Sequence, residues 1–222
     1  QWLDFSLRHL PKETNQLLEL ACGTGALAVE FAKKDFDVTG LDLSEEMLTL
    51  ANDRALQEGV AVNWVAGDML DLTDIGSYQA VTCFSDYLCY MQDASQVKQV
   101  FEGVYQLLKE AGTFIFDVHS TYQIDTIFPE YSYHDQTEDF AFLWDSYPGD
   151  SDHSIEHFLT FFVKQEEEIF ERFDELHKER TYPLDMYQKM LTEVGFKVEV
   201  FADFMDEHPN EKSKRWFFVC NK

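Results

Sequence analysis

Residues 16–25, Gln16-Leu17-Leu18-Glu19-Leu20-Ala21-Cys22-Gly23-Thr24-Gly25, decide the fold. Gln16–Ala21 is an apolar run of strand length, and Cys22–Gly25 is a glycine turn that ends it. Ala26–Lys34 then reads as a helix with Leu27 and Phe31 on one face. A strand, a glycine turn and a helix make a cradle for an anion or a nucleotide. The glycines let the backbone approach the ligand, and the helix N-terminus adds partial positive charge. A glycine pair that merely starts a helix, with no ligand, is the competing reading of this turn taken alone.

The same alternation continues outward. Asp37–Leu43 is the next strand, and Ser44 caps a helix that runs to Glu58 and stops at Gly59. Val60–Val65 and Ala80–Phe84 are strands, Val97–Lys109 is a helix, and Thr113–Val118 is a strand rich in β-formers. Strands alternating with helices imply a mostly parallel sheet covered on both faces. After about residue 120 the pattern changes. Phe140–Trp144, Ser154–Val163 and Ile169–Lys178 are strands without helices between them, which predicts a small antiparallel β cap. Leu184–Glu193 is helical, Gly195 stops it, and Phe196–Phe204 and Trp216–Cys220 close the sheet as a hairpin. The expectation is one α/β domain built from residues 1–120 and 181–222, with an inserted β cap at 121–180 on the substrate side.

The chain of 222 residues carries 17 Lys and Arg against 42 Asp and Glu, a net charge of −25. Such a surface repels phosphate backbones and anionic membranes, so nucleic acid is unlikely as substrate and a neutral or cationic small molecule is easier to accommodate. No apolar run approaches membrane-span length, and no signal peptide is visible. Cys22, Cys83, Cys89 and Cys220 show no metal-ligand spacing and read as reduced core thiols, which points to a cytoplasmic location. The chain starts at Gln1 without an initiator Met, so residues ahead of the first strand that would fold over a ligand are expected to be incomplete.

Asp42, at the end of the second strand, is placed to accept hydrogen bonds from a ribose diol. Gly23-Thr24-Gly25-Ala26-Leu27-Ala28 also satisfies the dinucleotide pattern, so this local motif does not separate a nicotinamide cofactor from other nucleotides. Four stretches in order carry more. LLELACGTG at 17–25, TGLDLSEEML at 39–48, VAGDM at 65–69 and LLKEAGTFIFDV at 107–118 together resemble the motif set of class I S-adenosylmethionine-dependent methyltransferases. The resemblance covers roughly residues 15–120, with a weaker echo at 179–196, and is greatest to bacterial small-molecule methyltransferases.

That resemblance implies a Rossmann-like, seven-stranded, mostly parallel sheet with a C-terminal antiparallel hairpin, S-adenosylmethionine as cofactor, and no metal. It implies that Glu19, Ala21, Gly23 and Gly25 hold the methionine end of the cofactor, and that Asp42 binds the ribose. Leu43 and Met47 would flank the adenine. Asp68, after Gly67, would accept from its amino group, with Met69 over the ring, and Phe84 and Ser85 would line the methyl-transfer side. Ala21 departs from the family pattern, which has glycine there.

Methyl transfer from a sulfonium needs positioning and exclusion of water more than a fixed catalytic signature. The residues after the fourth strand, Cys83-Phe84-Ser85-Asp86-Tyr87, lack the signature of amino-directed DNA methyltransferases. Candidates on the acceptor side are Asp86, Tyr87, Tyr90, His119 and Tyr122 at the sheet edge, with Trp144, Tyr147, His157, His177 and Arg180 from the cap. His119 directly follows the fifth strand, and a titration near neutrality would suit it to proton transfer. By strand alternation His177 and Glu179 share one face, and Lys178 and Arg180 the other. Phe158, Phe161 and Phe162 are expected to form cap core, and Gln165–Glu168 a solvated turn. Methylation of RNA or protein, and a cofactor-binding module without activity, remain as alternatives. Oligomeric state is open, homodimer included.

Overall fold

The computed structural model describes residues 1–166 and 169–222. Helix α1, Trp2–His9, precedes strand β1, Gln16–Leu20, in which Leu17, Leu18, Glu19 and Leu20 are all buried. A strand covered on both faces reads as a continuous apolar run, which is why β1 stands out in the sequence. The alternation proceeds through α2 (Ala26–Ala32), β2 (Asp37–Asp42), α3 (Glu45–Glu58), β3 (Asn63–Ala66), β4 (Tyr78–Cys83), α4 (Ala94–Leu107) and β5 (Leu108–His119). The Ser44 side chain caps α3 by accepting from the Met47 amide at 3.2 Å, and Gly59 ends that helix in the left-handed conformation.

After β5 come β6 (Ser132–Gln136), β7 (Phe140–Pro148), β8 (Ser154–Glu166) and β9 (Ile169–Arg180), then α5 (Leu184–Val194), β10 (Lys197–Ala202) and β11 (Arg215–Asn221). The large sheet has seven strands in the order β10-β11-β5-β4-β1-β2-β3, and only β11 runs against its neighbours. Its strand order reverses between β1 and β4, and a crevice opens there at the carboxyl ends of the strands. The second sheet, in the order β6-β7-β8-β9, is wholly antiparallel and lies in sequence between β5 and α5.

Alternation along the large sheet divides the core. On one face Leu18, Val81, Phe116 and Phe218 pack with Val97, Val100 and Phe101 of α4 and with Tyr187 and Leu191 of α5. On the other, Leu17, Ile115, Phe217 and Val219 pack with Phe5 of α1 and Phe31 of α2. Phe116 is the centre of the first layer, its ring 4.8 Å from Phe114 and 4.6 Å from Phe218. All four cysteines are buried free thiols. No helix among the described residues is long and apolar enough to cross a membrane.

Several sequence expectations are corrected. Helix α1 was not anticipated. The second sheet has four strands, since Ser132–Gln136 pairs with β7 although all five of its residues are exposed and carry no apolar alternation. Strand β5 starts at Leu108, so α4 ends two residues earlier than its periodicity suggests. Gln165 and Glu166 belong to β8 rather than to a turn, and the rest of that acidic run lies outside the described residues. Phe158, Phe161 and Phe162 do not form one core. Phe161 stacks on Phe142 at 5.0 Å, whereas Phe158 lies on the opposite face and is 45% exposed.

The turn after β1 sets its own backbone demands. Gly25 has φ 68°, and a Cβ there would fall 2.5 Å from the Trp64 ring. Ala21 also sits in the left-handed region at φ 51°, where an L side chain costs about 1–2 kcal/mol. Part of that strain is offset by alanine's lower entropy in the unfolded chain. The Ala21→Gly variant should therefore melt about 1–3 °C higher than the wild type. Calorimetric melting tests this, and a lower melting temperature would mean that the alanine methyl makes packing contacts outweighing the strain.

Candidate functional site

The crevice between β1 and β4 is organised by Asp42. This carboxylate is buried at the end of β2. Its Oδ2 accepts from the Gly23 amide at 2.7 Å, and its Oδ1 accepts from the Ser44 amide at 3.0 Å. The Gly67 amide donates to the Asp42 carbonyl at 3.0 Å. One residue thus ties together the turns after β1, β2 and β3. Beside it opens a cleft of about 360 Å³. Ala21, Asp42, Leu43, Gly67, Asp68 and Met69 line one side. Tyr87, Tyr90, Met91, Gln92 and Gln96 line the other, from a one-turn 3₁₀ helix at Tyr87–Tyr90 and the start of α4.

Leu43 lines this cleft and is 75% exposed. Asp68 is exposed and holds its own turn by accepting from the Leu70 amide. Met47 is exposed on the first turn of α3 and is not among the cleft-lining residues. Phe84 turns into the core, 6.4 Å from Phe217, and Ser85 is an exposed left-handed residue. Tyr87 covers the glycine turn: a methyl group at Gly23 would lie 3.7 Å from its hydroxyl. The sequence marked Tyr87 as an acceptor-side residue, but the chain places it in this cleft.

Glu19 lies beneath the turn, 5% exposed, and its Oε2 has no hydrogen-bond partner among the described residues. Burial, with a smaller contribution from the charge of Asp42, pushes its carboxyl up to about 8, against an opposing amide at Ala28.

A second cluster stands at the edge of the same crevice. His119, at the end of β5, places Nε2 3.2 Å from Asp86 Oδ2 and 3.6 Å from Glu179 Oε2. Arg215 of β11 pairs with Asp86 at 2.6 Å and with Asp117, and the Trp2 indole N–H donates to Asp117 at 3.0 Å. Burial and the Asp117 charge hold the Asp86 carboxyl well above its usual range, while Arg215 opposes them. Burial, then Arg215 and His157, lower His119 well below an ordinary imidazole, so it is neutral at pH 7.

The cap completes this cluster. His157 Nδ1 lies 3.1 Å from the Trp144 indole N–H. An indole only donates, so Nδ1 accepts and the ring proton sits on Nε2, which faces Glu179 Oε1 at 3.7 Å. Burial and His177 lower His157 to about 4. Burial raises Glu179 to about 6, moderated by Tyr90, His177 and Arg215. A pocket of about 230 Å³ opens here, walled by Phe142, Trp144 and Leu159 from the cap and by Tyr90 from the core, with His157, His177 and Glu179 as its polar groups. The Tyr90 hydroxyl lies 3.0 Å from His177 Nδ1.

His119 and Asp86 are not among the residues that line this pocket, and the remaining candidates also fall outside it. Tyr147 is 52% exposed on the opposite face of the cap sheet. Tyr122 precedes a short π-helical turn and lines neither pocket. The Arg180 guanidinium lies 5.0 Å from the centre of the Tyr182 ring and lines a neighbouring cavity of about 350 Å³. Sequence reasoning singled out neither Arg215 nor Trp2. No local pattern marks them, because their partners lie across the sheet.

Residues 17–112 match a family of methyltransferase domains. A protein of Geobacillus sp. (strain WCH70) assigned to the methyltransferases is 44% identical over all of this chain and 92% of its own length. The structure of an S-adenosylmethionine-dependent methyltransferase from Clostridium acetobutylicum ATCC 824 superposes with a TM-score of 0.88 at 26% identity, covering 99% of this chain and 90% of that one. The SAM-bound amino pentose methyltransferase CalS10 from Micromonospora echinaspora shares the fold, with a TM-score of 0.78 at 18% identity over 99% and 88% of the two chains.

The Glu19 environment has a pH signature. Its carboxyl is protonated up to about 8 in the folded chain but ionises near 4.5 in the unfolded one. Between those values the folded state holds the extra proton, so stability falls as pH rises through the window. The Glu19→Gln variant lacks this proton. It should gain on the wild type by a few kcal/mol between pH 5 and pH 8 in denaturant melts. Parallel pH profiles for the two proteins would refute the buried, protonated assignment.

Proposed function

Since this chain belongs to the class I S-adenosylmethionine-dependent methyltransferases, we propose that it methylates a small molecule held between the large sheet and the cap sheet. The observation that carries this reading is a shared wall: Tyr90 lines both the Asp42 cleft and the cap pocket, so occupants of the two would meet across it. A pocket of about 230 Å³ has room for a compact acceptor rather than a polymer.

The residues around Asp42 fit the donor. Asp42 spends one lone pair of each oxygen on the backbone, which leaves others free for a ribose diol. Leu43 and Met69 offer apolar cover for an adenine, and Asp68 an acceptor for its amino group. Gly23 and Gly25 bring backbone close to the methionine end, and buried Glu19 below has an unused oxygen for its ammonium. Met47 and Phe84 contribute least to this proposal, since neither side chain reaches the cleft, and Ser85 contributes its place at the rim. Bound S-adenosylmethionine supplies an already activated methyl group. The chain's own part is to fix the two partners in line and keep water out.

His119 takes the proton-handling role when the acceptor must lose a proton. Neutral at pH 7, it is flanked by Asp86 and Glu179, which allow a proton to pass between three groups without an isolated buried charge. Arg215 fixes Asp86, and His177 orients Tyr90. Arg180 stands outside the pocket, at the end of β9 over the Tyr182 ring, and we assign it a supporting role there.

Calorimetric titration with S-adenosylhomocysteine tests the donor site. Micromolar binding is expected for the wild type, weakened at least about a hundredfold in Asp42→Ala, since the loss removes charge-assisted bonds to the ligand and frees the turns. Equal affinity in the two proteins would sink the assignment.

A further inference from the structure

We infer that the acceptor is an amine, that it docks as an ammonium on Glu179, and that its nitrogen receives the methyl group. This rests on the methyl-transfer reading above and names the substrate class of that same site.

The argument is one of charge and unmet hydrogen bonds. Glu179 is 7% exposed, and its Oε2 has no hydrogen-bond partner among the described residues. The groups facing it are Tyr90, Asp86, His119, His157, His177 and, further off, Arg215. His119 and His157 are both held neutral at pH 7 by burial. Arg215 is committed to Asp86 and Asp117. His177 turns its Nε2 to Glu175 at 2.8 Å and its Nδ1 to the Tyr90 hydroxyl, so it faces Glu179 without pairing with it. A carboxylate ionised at neutral pH therefore sits in an aromatic-walled pocket with no cation bonded to it among the described residues. A buried charge in that condition is costly, and a ligand that brings the opposite charge recovers the cost.

A hydroxyl acceptor does not supply that charge. An ammonium does, and it brings three N–H donors against the orphaned oxygen of Glu179 and the open lone pairs around it. Phe142, Trp144 and Tyr90 add faces to which a cation is attracted. Trp144 is anchored by its bond to His157, so it is held in place beside Glu179. The net charge of −25 draws cations to the chain from a distance.

Docking and reaction use the same carboxylate. The ammonium R–NH₃⁺ gives one proton to Glu179 and so frees its lone pair. The N–C bond forms as the donor's C–S bond breaks, leaving S-adenosylhomocysteine and R–NH₂⁺–CH₃. The proton on Glu179 then passes to solvent by way of His119 or His177.

The test compares matched probes, cyclohexylamine and cyclohexanol, on the whole chain saturated with S-adenosylhomocysteine. Saturation-transfer NMR and competition titration give their relative affinities. The amine should bind about tenfold more tightly than the alcohol at pH 7.5. The preference should disappear in Glu179→Gln and fade as pH falls below about 6, where Glu179 gains a proton. Thermal melting of Glu179→Gln serves as the folding control and should hold or rise, since a buried charge is removed. An amine preference that survives in Glu179→Gln, or equal binding of the two probes, overturns the proposal. So does the binding of neither probe when S-adenosylhomocysteine is bound, an outcome that leaves the donor reading intact. Failure of S-adenosylhomocysteine itself to bind would count against the donor site instead.

Discussion

A single guanidinium holds the working edge of this molecule together. Arg215 reaches two carboxylates, Asp86 from the loop after β4 and Asp117 from β5, and both are almost fully out of water. Two such charges side by side would repel strongly in a low-dielectric setting, and removing their common cation typically costs several kcal/mol. Because Arg215 is on β11, the arrangement exists only when the antiparallel strand has paired with β5 in register, with Arg215 opposite His119. The position of His119 next to Asp86 and Glu179 follows from that pairing. Helix α1 joins the same arrangement through the Trp2 indole on Asp117.

The large sheet was readable from the chain because its physics is local. Buried parallel strands are apolar runs, helices between them show their face at fixed spacing, and the turns carry glycine or a capping serine. The Asp42 site was legible for the same reason: strand end, turn and helix start are contiguous. What the sequence hid is what depends on distant partners. Strand β6 is exposed along its whole length and exists because β7 offers it a ladder, so no alternation betrays it. Helix α1 lacks a side-chain cap and is held by Phe5 against Phe217, a contact between opposite ends of the chain. Phe84 follows a strand and was expected to face a ligand, yet its alternation turns it inward.

The two halves of the site illustrate different ways of using acidic residues. Asp42 spends its charge on backbone amides, which fixes loops at modest cost. Glu19 is sealed without a counter-charge and gives up its own charge, keeping a proton to about 8. Glu179 is raised less, to near 6, where small changes in its surroundings decide its state. Raising one carboxyl to about 8 and another to about 6 along one crevice requires only differences in burial and neighbouring groups.

The chain leaves the large sheet at His119 and leaves the cap sheet just before Thr181, and those two points touch. The Thr181 hydroxyl donates to the His119 carbonyl at 2.7 Å, so the whole excursion through β6–β9 begins and ends at one stitch. An excursion whose ends meet demands little of the scaffold that carries it. Lengthening or exchange of these strands can reshape the cap side of the crevice while the turns around Asp42 stay as they are. The cap is in this sense a detachable module: the stitch at His119 and Thr181 lets it change without passing the change on to the turns that Asp42 ties together.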